Sequence, residues 1–385
     1  MKIIQICAAY KPAYVYGGPT MSVAKLAEEL TKDGRDVIVL ATTANGKSEL
    51  DVPVDKQQIV DGVKVHYFKR LTKDHTHFSP ALLWFLHKEI KRNKRSAQPA
   101  QLVVHIHAWW NLVSIFSCLI AKWHHVKVVL SPRGMLTNYT LNNRNSKFKD
   151  VLHKVIGKTL LAYSHIHATS QKEQIDVVQT VTTRGVTVIP NFVALPQTSF
   201  ETPHAKTTTY RLLFLSRVEQ KKGLEILFEA LTKIDFPWQL TIAGSGDENY
   251  IEQLKQEVSS KNITKNLRWL GHVVNEQKFE LIAQQDLLVL TSYNENFANV
   301  VVESLAMGTP VLVSKEVGLA DYVLNNKLGW VTSLDAEDVA AKLTSAYYDV
   351  PLRDQIRSNA PLLVRDEFDG NRLTAQYYDM YQSLF

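Results

Sequence analysis

Residues 286–314 read DLLVLTSYNENFANVVVESLAMGTPVLVS. The apolar run 286–291 has the length and β-branched content of a strand. A polar loop follows, then an apolar helical segment that stops at Met307-Gly308-Thr309-Pro310, and a second strand pattern covers 310–314. Glycine and proline end the helix, because proline lacks an N–H and glycine favours the terminating conformation. Strand, helix and strand in this order make a βαβ unit. Its strands run parallel, and a parallel sheet needs cover on both faces.

The same alternation extends in both directions. Strands are expected at 211–216, 238–243 and 266–270 on the near side. Further upstream they are expected at 2–8, 36–42, 63–68, 102–108, 127–131, 165–169 and 186–190, with an amphipathic helix over Thr20–Lys32. Residues 196–210 interrupt the series with a polar stretch that holds Pro203 and lacks periodicity, as a linker does. The expected organisation is therefore α/β, with residues 1–195 as one Rossmann-like domain, 196–210 as linker and 211–366 as a second. Two such domains leave a central cleft that both parallel sheets face. A final helical pattern, Asn371–Leu384 within 367–385, carries Tyr377, Tyr378 and Tyr381. It can pack on its own domain or cross back to the first, and the pattern alone does not decide between them.

The 385 residues suit two domains, and 45% hydrophobic with 21% charged residues is ordinary for a folded chain. The net charge of +6 conceals an asymmetry. Residues 1–195 hold 26 Lys+Arg against 13 Asp+Glu, while residues 196–385 hold 18 against 25. A positive first half suits nucleic acid, anionic lipid headgroups or a diphosphate-bearing acceptor. No nucleic-acid motif is present, so nucleic acid is set aside. Trp84, Phe85, Lys88, Lys91, Arg92, Lys94 and Arg95 mix aromatics with cations on one helical pattern, and Lys147, Lys149, Lys154 and Lys158 form a second basic stretch. Both fit either a solvated face or peripheral contact with an anionic membrane. No run approaches the ~18 apolar residues of a spanning helix. Cys7 and Cys118 lie in apolar patterns without metal-ligand spacing, as reduced thiols of a cytoplasmic protein do.

In open α/β sheets ligands bind beyond the carboxyl ends of strands. Three candidate segments sit there. Asn294-Glu295-Asn296-Phe297-Ala298-Asn299 leads into a helix that carries Glu303 about two turns in. Its N-terminus favours an anion, Glu303 can accept two hydrogen bonds from a ribose diol, and Glu295 can stand by a sugar that gains positive charge. Arg217 closes the strand 211–216 and Lys222 opens the next helix, two cations suited to a diphosphate. Gly17-Gly18, after the first strand, lets backbone approach phosphate oxygens. No Gly-x-Gly-x-x-Gly fingerprint occurs, which disfavours a dehydrogenase. No Asp-x-Asp occurs either, which fits a site without a bound metal.

These pieces, with His105-Ile106-His107, Ser131-Pro132-Arg133-Gly134-Met135-Leu136, Val188-Ile189-Pro190-Asn191 and Ala306-Met307-Gly308-Thr309-Pro310, resemble the retaining GT-B glycosyltransferases of glycosyltransferase family 4, glycosyl transferases group 1. The resemblance spans nearly the whole chain. It implies a metal-independent, retaining transfer of a hexose-type sugar from a nucleotide-diphosphate donor to a saccharide or lipid-linked acceptor, in cell-surface polysaccharide or glycolipid synthesis. By the same resemblance Glu303 holds the donor ribose, Glu295 stands by the donor sugar, and Arg217 and Lys222 neutralise the leaving diphosphate with help from Gly18. The backbone of Asn296, Phe297 and Ala298 contacts sugar and phosphates, Val273 lies near the base, and the C-terminal helix returns to the first domain. Where many relatives carry a histidine this chain has Pro132-Arg133, so Arg133 is a candidate acceptor, sugar or phosphate contact, while His107, in an aromatic loop with His105, Trp109 and Trp110, is either a structural residue or an acceptor or sugar contact. The family's usual Phe-Gly is Phe297-Ala298 here. A nucleotide-sugar epimerase or a non-catalytic nucleotide-sugar-binding protein of the same fold remain alternatives. The first would convert donor without acceptor, and the second would bind donor without turnover.

Overall fold

Ile3, Ile4 and Ile6 are all sealed from solvent, although neighbours along a strand point to opposite faces. Their strand, β1 (Lys2–Cys7), therefore sits inside a sheet covered on both sides. The computed structural model describes residues 1–54, 56–137, 156–196, 208–273 and 275–385. Lys147, Lys149 and Lys154 of the second basic stretch, and most of the linker, lie outside the described residues. The chain divides into two units, Met1–Phe192 with Phe368–Phe385, and Val193–Glu367.

In the first unit β1 is followed by β2 (Asp36–Thr42), a small antiparallel hairpin of β3 (Ala44–Asn45) and β4 (Ser48–Glu49), then β5 (Gln57–Val60) and β6 (Val63–Phe68). Next come β7 (Leu102–His107), β8 (Lys127–Ser131), β9 (His165–Ala168) and β10 (Gly185–Val188). The sheet order is β10-β9-β8-β7-β1-β2-β6-β5, parallel except for β5 against β6. One face packs Ile3, Val37 and Val39 under helices Gly18–Lys32 and Gly370–Gln382. The other packs Ile4, Ile6 and Leu40 under helices Pro80–Lys94 and Leu112–Trp123. Each fully buried aliphatic side chain contributes about 1.5–3 kcal/mol. Asp369 starts the last helix by accepting a hydrogen bond from Arg372 N at 3.0 Å, just where the chain leaves the second unit.

The second unit has β11 (Tyr210–Leu215), β12 (Trp238–Ala243), β13 (Leu267–Gly271), β14 (Leu287–Leu290), β15 (Val311–Ser314) and β16 (Gly329–Thr332). All pairs are parallel, in the order β13-β12-β11-β14-β15-β16. This is the doubly wound order with its reversal between β11 and β14, the place where such sheets open a crevice.

Both sheets follow the alternation read from the sequence, with three additions: the β3–β4 hairpin, β5 and β16. Short edge strands carry few sealed apolar residues, so they leave little pattern. Three local details differ from the sequence reading. The strand before Arg217 ends at Leu215. Lys222 lies in a short 3-10 turn, Gln220–Lys222, and the α-helix begins at Leu224. Glu303 is one turn, rather than two, into its helix Asn299–Ala306.

Candidate active site

The loops after β11 and β14 are stitched together. Gly223 ends the 3-10 turn with φ 64°, and a Cβ on it would stand 2.2 Å from the carbonyl oxygen of Thr291. Only glycine fits such an approach. Thr291 Oγ1 donates to the Gly223 carbonyl at 2.8 Å, and Tyr293 N to the Lys221 carbonyl at 2.8 Å. This backbone contact brings the Lys222 ammonium onto the Glu295 carboxylate. Lys222 is 5% exposed, which makes it a held cation rather than a waving surface chain. Glu295 is braced from the other side: its N–H donates to Glu316 O at 3.2 Å, and its carbonyl accepts from Gly318 N at 2.8 Å.

Arg217 lies on the same β11 loop, half exposed, with Nη1 2.6 Å from Glu219. Val218 N donates to Ser245 O at 2.8 Å, which ties this loop to the turn after β12. The helix Asn299–Ala306 starts without a side-chain cap, so its positive end is not covered by its own cap residue. Ala298 precedes it with φ 69°, a left-handed conformation that costs a residue with a Cβ roughly 1–2 kcal/mol. That is the position where the resemblance led one to expect glycine. Glu303 is nearly buried, and its Oε1 lies 2.7 Å from Lys278 Nζ on the neighbouring helix Asn275–Ala283. Val273 follows β13 at the outer edge of this sheet, three strands from β14. The structure thus gathers Arg217, Lys222, Glu295 and Glu303 at the ends of adjacent strands and the helix between β14 and β15.

In the first unit Gly17 and Gly18 open the helix after β1, with Gly17 at φ 64°. His107 ends β7 and is sealed, with Nδ1 3.4 Å from Arg133 Nη2. Arg133 also donates from Nη1 to Asn191 Oδ1 at 3.1 Å, and it sits at φ 52°. Its turn is pinned by Glu173, a buried carboxylate that accepts from Gly134 N and Thr169 N, each at 2.7 Å. Sequence reasoning missed both Glu173 and Lys278, since each is an ordinary charged residue on a helix.

Behind His107 runs a chain of hydrogen bonds whose proton order is set by its end. The Ile189 carbonyl accepts from His167 Nε2–H at 2.8 Å, which leaves Nδ1 of His167 to accept from the Ser131 hydroxyl at 2.6 Å. Ser131 then accepts from His105 Nε2–H at 2.7 Å, and His105 Nδ1 accepts from the Tyr381 hydroxyl at 2.7 Å. Burial lowers the proton affinity of all three histidines, that of His167 to about 3, and Arg133 nearby adds to the effect. His105 and His167 are therefore neutral, fully engaged core groups.

The chain matches the model of the Glycosyltransferase Family 4 over residues 16–196 and that of Glycosyl transferases group 1 over residues 197–362. It belongs to the family 4 glycosyltransferases. This glycosyltransferase is 26% identical to a glycogen synthase of Mycobacterium tuberculosis, covering 98% of the chain and 94% of that protein. It is 25% identical to a phosphatidyl-myo-inositol mannosyltransferase of Mycobacterium leprae, covering 96% and 94%. Among solved structures, Anabaena HepE in complex with UDP and glucose aligns over 100% of both chains with a TM-score of 0.73 at 17% identity. Sucrose-phosphate synthase of Thermosynechococcus elongatus aligns over 100% and 99% with a TM-score of 0.76 at 18% identity. The enzyme has the GT-B fold, two Rossmann-like domains.

On the surface of the enzyme's first unit, Trp84 and Trp123 are 59% and 69% exposed, and both stack on His87 between them. Lys88 lies over the Trp84 ring, and Lys91, Arg92 and Arg95 continue the basic surface. Among the described residues no helix is long and apolar enough to cross a membrane.

Proposed function

We propose that the enzyme moves a hexose-type sugar from a nucleotide-diphosphate donor to a saccharide or lipid-linked acceptor, with retention at the anomeric carbon and without a bound metal ion. The observation that carries this reading is the Lys222–Glu295 ion pair, which joins the two loops flanking the reversal of strand order, with Arg217 on the first of those loops. As the donor bond breaks, negative charge collects on the leaving diphosphate, and cations fixed in advance lower that barrier. Lys222 and Arg217 are proposed to take this role, exchanging their carboxylate partners for phosphate oxygens. Glu295, released from Lys222, faces the sugar as it gains positive charge. Glu303 grips the ribose. The backbone of Asn296, Phe297 and Ala298, with Val273, Gly17 and Gly18, completes the proposed donor set, and His107 and Arg133 are proposed acceptor or sugar contacts. No protein base is required, because the departing phosphate is able to take the acceptor's proton. The solved relatives bound to UDP, UDP-glucose and UDP-2-fluoro glucose support a nucleotide-sugar donor.

The test is thermal protection by UDP-, GDP- and ADP-sugars, followed by turnover of the protecting donor in excess EDTA and assignment of the product anomer by NMR. Protection, EDTA-resistant transfer and a retained anomer are expected. Protection without transfer or donor hydrolysis would turn the reading to a binding protein, and donor conversion without acceptor would turn it to an epimerase.

The Trp84–His87–Trp123 stack and its cations support peripheral contact with an anionic membrane, in keeping with a cytoplasmic enzyme of cell-surface polysaccharide or glycolipid synthesis. Co-sedimentation with liposomes should rise with their anionic lipid content. Indifference to that content counts against membrane contact.

A further inference from the structure

We propose that Lys278 is a second specificity-determining group of the ribose subsite, reading the 2′-hydroxyl of the donor nucleotide and so selecting ribonucleotides over deoxyribonucleotides. The proposal rests on the reading of Glu303 as the ribose-binding carboxylate. Lys278 stands on helix Asn275–Ala283 and Glu303 on helix Asn299–Ala306, and their side chains meet at 2.7 Å through Nζ and Oε1. Both are mostly buried, with side-chain exposures of 21% and 11%. Glu303 Oε2 accepts no hydrogen bond among the described residues.

A carboxylate only accepts, whereas an ammonium offers three donors and accepts nothing. One Lys278 N–H is spent on Oε1, which leaves others beside the free Oε2. The pair thus presents an acceptor and a charged donor side by side. A cis-diol is their complement: the 3′-hydroxyl donates to Oε2 while the 2′-oxygen accepts from Nζ. Removal of the 2′-hydroxyl leaves a desolvated N–H without its partner, and sites built on a buried donor reject analogues that lack the acceptor. An ion pair serving only to join two helices would have no such preference.

The experiment is titration calorimetry with UDP, GDP and ADP, then with the 2′-deoxy form of whichever binds tightest, on the parent, Lys278→Met, Lys278→Arg and Glu303→Gln. The parent is expected to prefer the ribonucleotide by about tenfold or more, equivalent to roughly 1.4 kcal/mol. Lys278→Met should lose about tenfold for the ribonucleotide and little for its deoxy form, so that the preference collapses, while Lys278→Arg should keep most of it. An unchanged ribo-to-deoxy ratio in Lys278→Met overturns the proposal, whatever happens to its melting temperature. Glu303→Gln separates the two layers. If it binds as the parent does, the ribose reading itself is wrong. If it loses affinity while Lys278→Met does not, only the role of Lys278 falls.

Discussion

The Tyr381 hydroxyl donates to Nδ1 of His105 at 2.7 Å, a bond between residues 276 positions apart. It joins the last helix to the middle of the first sheet, where Tyr377 and Tyr381 are both sealed. Tyr381→Phe keeps the ring and removes only the donor, leaving His105 Nδ1 without a partner. A loss of about 1–3 kcal/mol is expected, the cost of an unsatisfied buried group, read as a lower urea midpoint at unchanged slope. A midpoint equal to the parent's would mean the bond contributes nothing.

Acid should destabilise the fold through its buried histidines. His105, His107 and His167 resist protonation when folded, His167 down to about 3, against an ordinary value of 6.5. Between pH 6.5 and about 3 the unfolded chain therefore holds more protons than the native one, and stability falls as pH drops. Above pH 6.5 both forms are neutral and the effect vanishes. Each such group contributes a slope of roughly 1.4 kcal/mol per pH unit inside its window. Unfolding midpoints measured from pH 8 to pH 5 should be level at first and then decline, and His167→Gln should flatten the decline. A His167→Gln profile with the parent's slope would exclude this residue as a source.

Arg217 and Lys222 should separate catalysis from stability. Arg217 is half exposed, so Arg217→Ala is expected to shift stability by no more than about 0.5 kcal/mol. Its turnover should nonetheless fall on the order of 10²–10³, as when an oxyanion donor is removed. Lys222→Ala should lose turnover to a similar extent, with a visible drop in melting temperature because Glu295 is left without its cation. Parental turnover in both variants would end the proposed role.

Gly223→Ala tests the stitch between the two loops. Its Cβ would fall 2.2 Å from the Thr291 carbonyl oxygen at φ 64°, so clash and backbone strain add. Gly34→Ala supplies the control, since Gly34 has φ 79° and nothing within 4 Å of the added carbon. The control should lose about 1 kcal/mol from strain alone. Gly223→Ala should lose more, and with it the protection conferred by a nucleotide sugar. Equal losses in the two variants would show that the close approach does not hold the site.

The two alternating α/β sheets are legible in the order of residues alone, because strands buried on both faces must be written as unbroken apolar runs. That order also marked Arg217, Lys222, Glu295 and Glu303 as candidates, since charged residues directly after such runs stand where parallel sheets open. It left β5 and β16 invisible, as edge strands bury too little to leave a pattern. Which strand ends are neighbours, and so which charges meet, emerges from the folded chain. Lys278 and Glu303 are 25 residues apart on separate helices, and nothing local in either links them. Glu173 and the turn that holds Arg133 are another such pair. The tyrosine stripe of the last helix fits any apolar face; in the folded chain it packs in the first unit, where its hydroxyls reach the buried His105 and His167. Apolar periodicity is a local property of the chain, whereas the pairing of buried polar groups is set by distance in space.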